Sequence, residues 1–169
     1  MMKIKKHTGA IGRYDYTVRL GVIIFALIYP LICLFYIGYK PSLSQYWNTP
    51  MQPIFIFSNA ATSYYLIGLK NWRISSCLLT LVTAFSIEYY PTSHNVLAVA
   101  FFVFTLWPLY KTNNFKYCFW IYICAIPIAY FSLLFAEYIA IVAMCIFHIM
   151  SLVKLNSITK ERLNINYRD

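Results

Sequence analysis

Long apolar runs separated by short polar breaks organise this chain, and the lengths of the runs predict its elements. An α-helix rises 1.5 Å per residue, so roughly 20 apolar residues cover about 30 Å of hydrocarbon. Runs of that kind predict helices over residues 18–39, 53–69, 74–90 and 96–110. Between Lys116 and Lys154 the only charged residue is Glu137. As one helix the run 115–153 would reach about 58 Å, twice the hydrocarbon thickness. It is therefore split near 135–137 into a fifth and a sixth helix, although neither Gly nor Pro marks a turn there. The fold class expected is all-α: a polytopic bundle of six transmembrane helices.

Composition strengthens this expectation. The chain is 61% hydrophobic and only 11% charged, too little polar surface to coat a water-soluble globule. No Gly/Ser-rich or Pro-rich linker divides it and no repeat period is evident, so one bundle is expected over 18–153. It is flanked by a basic segment at 1–17 and a basic tail at 154–169. Five cysteines (Cys33, Cys77, Cys118, Cys124, Cys145) lie in apolar runs without CxxC spacing. They read as small buried residues rather than a disulfide framework or zinc site.

The net charge of +9 would suggest nucleic acid in a soluble protein, but here the basic residues sit between or beyond the apolar runs. They act as a topology signal with attraction for anionic headgroups, and no nucleic-acid partner is expected. With both termini cytoplasmic, thirteen of the fourteen Lys and Arg fall on the inner side and only Lys40 on the outer. Five spans would carry the basic tail across the membrane, against the positive-inside tendency. The first apolar run is too long for a signal peptide and is read as an uncleaved span. A bacterial cytoplasmic membrane is the expected location.

Sidedness gathers the remaining polar groups on one face. The outer segments are 40–52, 88–95 and the turn near Glu137; they hold Ser42, Ser44, Tyr46, Trp47, Thr49, Glu88, His94 and Glu137. In one reading these residues do structural work. Glu88 and Glu137 mark helix ends, Pro91 ends the third helix, and Ser93 or Asn95 caps the fourth. Tyr46, Trp47, Tyr89 and Tyr90 then form an aromatic belt. In the other, they close a polar pocket in which Ser42, Tyr46, Trp47, Thr49, Glu88, His94 and Glu137 hold a lipid headgroup or small amphiphile. The same residues allow Ser44 (or Ser42) as nucleophile, His94 as base and Glu137 as orienter, although no G-x-S-x-G motif accompanies them. No metal-ligand spacing is present, and neither metal nor cofactor is expected.

Within the spans, Gln52, Asn59 and Ser63 recur at helical spacing and predict a polar, inward-looking face used for helix–helix hydrogen bonding. Glu137, Ile141, Met144 and His148 share one stripe of the sixth helix, with His148 about 16 Å from Glu137 and hydrogen-bonded in the interior. Ser132, Ala136 and Ala140 form small-xxx-small steps that favour close packing. Pro30, Pro108 and Pro127 are expected to kink or end their helices.

Four motifs together resemble a family. They are "SLSQYWNTPM" before the second helix, "YPTSHN" after the third, "HNVLAVAFF" opening the fourth and "FAEYIAI" opening the last. The chain resembles small bacterial six-span proteins of unassigned reaction. More distantly it resembles the superfamily of FGF-receptor-activating proteins, damage-regulated autophagy modulators and Sfk proteins. Over residues 40–153 the resemblance singles out Ser42, Ser44, Thr49, Pro50, Met51, Pro91, His94 and Glu137, and it implies a lipid-related role. The function expected is thus binding or sensing of a lipid or amphiphile. The alternatives are a membrane-embedded lipid hydrolase or transferase using Ser44, His94 and Glu137, and a structural or partner-binding subunit. Membrane lipids are the expected partners, with a homo-oligomer or a membrane protein partner also open.

Overall fold

The fold was analysed in a computed structural model, which describes residues 8–112 and 115–165, with side chains over 15–112 and 115–157. Lys3, Lys5, Lys6 and Arg168 of the two basic segments lie outside the described residues. The described elements are all helical. They are α1 (Thr8–Ile37), a 3-10 turn (Leu43–Asn48), α2 (Gln52–Ile67), a second 3-10 turn (Lys70–Trp72), α3 (Arg73–Ala84), α4 (Pro91–Lys111), α5 (Lys116–Ala129) and α6 (Leu133–Ile165).

Among the described residues, three segments are long and apolar enough to cross a membrane: Asp15–Ile37, Pro91–Lys111 and Leu133–Ser157, with Lys116–Ala129 a shorter apolar helix. The distribution of side chains points the same way. Large apolar groups such as Phe35, Phe57, Ile74, Val99, Val103, Trp107, Trp120 and Ile126 are exposed. Meanwhile Ser58, Ser63, Ser75, Ser76, Thr105, His94, Glu137 and His148 are buried. Exposed apolar surface on this scale is what an apolar solvent permits and water does not. The chain has the composition, helix lengths and surface of an integral membrane protein.

Several boundaries differ from the sequence expectation for local reasons. The third helix stops at Ala84, six residues short of the expected end, and Pro91 does not terminate it. Proline's missing N–H is tolerated at the start of a helix, and Pro91 instead opens α4, with Tyr90 at the N-cap and Ser93 and Asn95 already inside. The fifth and sixth helices part at 130–132, a few residues before the expected position. There Ile128 O accepts the N–H groups of both Phe131 and Ser132 at 2.9 Å. Glu137 therefore lies inside α6, one turn from its start, and not in the turn. Pro30, Pro108 and Pro127 all sit inside their helices. Helix α1 ends where Gly38 takes φ +85°, a left-handed conformation that a Cβ would strain.

Helix α6 packs against α5 and α1. Ala136 and Ala140 of the small-xxx-small steps, with Ala143, are buried in the main core with Cys118, Tyr122 and Ala125 of α5, whereas Ser132, the first of the steps, lies half-buried in the turn before α6. Ile23 and Ala26 of α1 pack against Cys145 and Leu152 of α6 on another side. Of the five free cysteines, Cys33, Cys118 and Cys145 are buried as expected, whereas Cys77 and Cys124 face outward. The polar face of α2 meets a hydroxyl stripe on α3. Ser63 Oγ lies 2.8 Å from Ser76 O, 3.0 Å from Ser76 Oγ and 2.6 Å from Thr80 Oγ1, and Ser76 Oγ donates to Ser63 O at 2.7 Å. The helix–helix role expected of Ser63 is the one observed.

Interhelical hydrogen bonds in membranes contribute roughly 0.6 kcal/mol each. Ser76→Ala removes two of them and is expected to lower stability by about 1 kcal/mol in equilibrium unfolding from mixed micelles. An unchanged midpoint would show that the cluster does not hold α2 to α3.

Candidate functional site

The segment joining α1 to α2 folds back into the bundle as a plug, burying Leu43, Ser44 and Tyr46. A buried loop must find partners for its own peptide groups. Locally, Gln45 N donates to Ser42 O, Thr49 N and Thr49 Oγ1 both donate to Tyr46 O, and Met51 N donates to Thr49 Oγ1. At its base, Tyr46 Oη donates to Gly38 O at 2.8 Å. Two further bonds tie the plug to the start of α6: Leu134 N to Pro41 O at 3.0 Å, and Leu43 N to Glu137 Oε2 at 2.7 Å.

The residue after Leu43 is held by a different helix. His94 Nε2 lies 2.8 Å from Ser44 Oγ, and His94 Nδ1 lies 2.6 Å from Phe85 O. A carbonyl only accepts, so Nδ1 carries a proton; in the neutral ring, Nε2 is then the acceptor of the serine hydroxyl. Phe85 O is available because α3 has ended and Phe85 is extended. All three side chains are buried: His94 is 3% exposed, Glu137 7% and Ser44 8%.

The triad expected from the sequence is thus rearranged. Ser44 and His94 are paired, but the group that orients His94 is the Phe85 carbonyl. Glu137 instead accepts from the adjacent peptide of the plug. Glu88 joins neither: its side chain is exposed, and its backbone N–H donates to Ser86 Oγ. Tyr46 and Trp47 do not form an aromatic belt, because Tyr46 is fully buried and Trp47 packs edge-on against Phe55 at 5.9 Å. Tyr89 and Tyr90 are exposed, as a belt requires.

Below the plug lies a cavity walled by α1, α2, α3, α4 and α6. It offers about 90 Å³ to the centres of water-sized molecules. One water needs only roughly 10–15 Å³ by that measure. Ser44, Leu43 and Glu137 roof it. The α6 stripe of Glu137, Ile141, Met144 and His148 forms one wall, and Phe55, Asn59, Thr62 and Tyr65 of α2 form the facing one. Of the residues expected to bind a ligand, only Glu137 reaches the cavity. Ser42, Tyr46, Trp47, Thr49, Glu88 and His94 do not line it.

At the far end His148 Nδ1 lies 3.1 Å from Tyr65 Oη, the interior bond expected of it. Trp72 packs beside it with ring centroids 4.5 Å apart and the rings tilted by 54°. Sequence reasoning missed Phe85, Tyr65 and Trp72. A main-chain carbonyl has no sequence signal, but Tyr65 follows Asn59 and Thr62 along the polar stripe of α2 and was within reach of that pattern.

The arrangement offers a hydroxyl paired to an acceptor imidazole, a carboxylate whose second oxygen has no partner among the described residues, and a mostly apolar cavity beneath both. Comparisons with known protein families, with curated proteins and with solved structures return no match.

Replacing Glu137 separates two roles. Glu137→Gln keeps an oxygen for Leu43 N–H, whereas Glu137→Leu strands that donor in the interior at a cost of about 1–3 kcal/mol. Amide hydrogen exchange at Leu43 and Ser44 is expected to accelerate in the Leu variant and to stay slow in the Gln variant. Equal exchange in both would remove Glu137 as the tether.

Proposed function

We propose that the protein binds a single-chain lipid or amphiphile in this cavity, with the polar head under the plug and the chain along the α6 stripe. The observation that carries the reading is the cavity itself, mostly apolar in its lining and roofed by Ser44 and Glu137. Its walls come from five helices, so occupancy links the whole bundle. The likeness of "SLSQYWNTPM", "YPTSHN" and "FAEYIAI" to six-span proteins with lipid-linked relatives supports the same reading. In it, α1 to α6 cross or enter a bacterial cytoplasmic membrane six times, with both termini cytoplasmic and the plug outward; the distribution of Lys and Arg supports that orientation.

Ala98 lines the cavity, and Ala98→Leu fills part of it. Excluding about two methylenes of ligand, at about 0.8 kcal/mol each, should weaken a fluorescent dodecylamine roughly tenfold in nanodiscs. A folded variant with undiminished affinity would sink the binding reading. For the orientation, Asn48→Cys and Tyr89→Cys on a cysteine-free background should react with an impermeant maleimide in intact cells, and Asn71→Cys only after permeabilisation. The reverse pattern would invert the topology.

A second reading rests on the 2.8 Å contact between Ser44 Oγ and His94 Nε2. Ser44 Oγ attacks an ester carbonyl as its proton passes to Nε2, and the departing alkoxide takes that proton to leave an acyl-serine. Water or an acceptor alcohol then releases the acyl group, with the same imidazole relaying the proton. A fluorophosphonate probe is expected to label the wild type, and neither Ser44→Ala nor His94→Phe. Labelling that persists in Ser44→Ala would exclude this serine.

A further inference from the structure

The end of the cavity opposite the plug carries an unfilled hydrogen-bonding position. His148 is 5% exposed, and its Nε2 has no partner among the described residues, although the residue lines the cavity. A buried polar atom left unpaired costs about 1–3 kcal/mol, and such atoms are few in folded proteins. The ring is held in place by Tyr65 Oη on Nδ1 and by Trp72 and Phe147 around its faces and edges, so it is set in one orientation. If Tyr65 donates, Nε2 carries a proton and needs an acceptor; if Tyr65 accepts, Nε2 is a bare lone pair and needs a donor. A carbonyl oxygen answers only the first state. A hydroxyl answers both.

We propose that His148 is a second polar anchor, and that the occupant is a bipolar chain molecule. One end would be a hydrogen-bond donor held at the free oxygen of Glu137, and the other a hydroxyl held at His148 Nε2. This rests on the binding reading above and narrows it, because a plain acyl chain would end in a methyl group beside an unpaired imidazole. The two anchors are eleven residues apart on α6. That is about 16 Å of helix rise, the reach of roughly a dozen carbons joined by bonds of about 1.5 Å in zigzag. Ile141 and Met144 between them supply an apolar wall for the methylenes.

The test compares dodecylamine, 12-aminododecan-1-ol and 8-aminooctan-1-ol by calorimetry on the full chain in phosphatidylcholine nanodiscs, with empty nanodiscs subtracted. One net hydrogen bond corresponds to about fivefold in affinity. The twelve-carbon amino alcohol is expected to bind about fivefold more tightly than dodecylamine. That gain should vanish in His148→Phe and be missing from the eight-carbon compound. Equal affinity of the two twelve-carbon probes for the wild type overturns the second anchor while leaving the binding reading intact, and it needs no variant to fold. A gain that survives in folded His148→Phe also overturns it. If no probe binds and Ala98→Leu changes nothing, the binding reading itself fails, and this proposal falls with it.

Discussion

A peptide N–H buried inside a helix bundle has no water to bond to, and at Leu43 that need is met by the carboxylate of Glu137, 94 positions away. Much else depends on this contact. It lets the connection between α1 and α2, with its short 3-10 turn, enter the bundle, which sets Ser44 against His94 and gives the cavity its roof. Glu137 would be costly to bury with nothing to accept. The loop would be costly to bury with nothing to donate to. Each removes the other's penalty, and the result is a closed end on a bundle that would otherwise open to its surroundings.

For so apolar a chain, the bundle buries many polar side chains, among them Ser58, Ser63, Ser75, Ser76 and Thr105. Where lipid surrounds the helices, their association gains little from hiding apolar surface, and close packing with hydrogen bonding takes over. The molecule uses both devices in different places. Alanines 136, 140 and 143 bring α5 and α6 together, while the Ser63, Ser76 and Thr80 hydroxyls fasten α2 to α3.

Run lengths and helical spacing made much of this legible. The lengths of the apolar runs indicated an all-helical chain and the break in the run after Lys116, and helical spacing the inward face of α2 and the α6 stripe that became a cavity wall. What they could not show was pairing. Leu43 with Glu137, and Ser44 with His94, are contacts between distant segments with nothing local to announce them. The plug also misled: a stretch rich in Ser, Tyr, Trp and Asn looks like a loop at the interface, because burial of its backbone depends on acceptors supplied from elsewhere. Glu88 was the converse case. A carboxylate beside two tyrosines and a proline looked like part of a site and is an exposed turn residue.

One consequence follows from the plug's two tethers falling on consecutive residues. Leu43 is fixed to α6 and Ser44 to α4, so a single peptide unit, about 3.8 Å from Cα to Cα, bridges the two helices. A peptide cannot stretch, and hydrogen bonds of 2.7 and 2.8 Å tolerate only a few tenths of an ångström before they weaken. Relative sliding of α4 and α6 must therefore be taken up by the side-chain torsions of Glu137, Ser44 and His94, or break one bond. Two helices that lie far apart in the sequence are thus linked through neighbouring residues of one short segment.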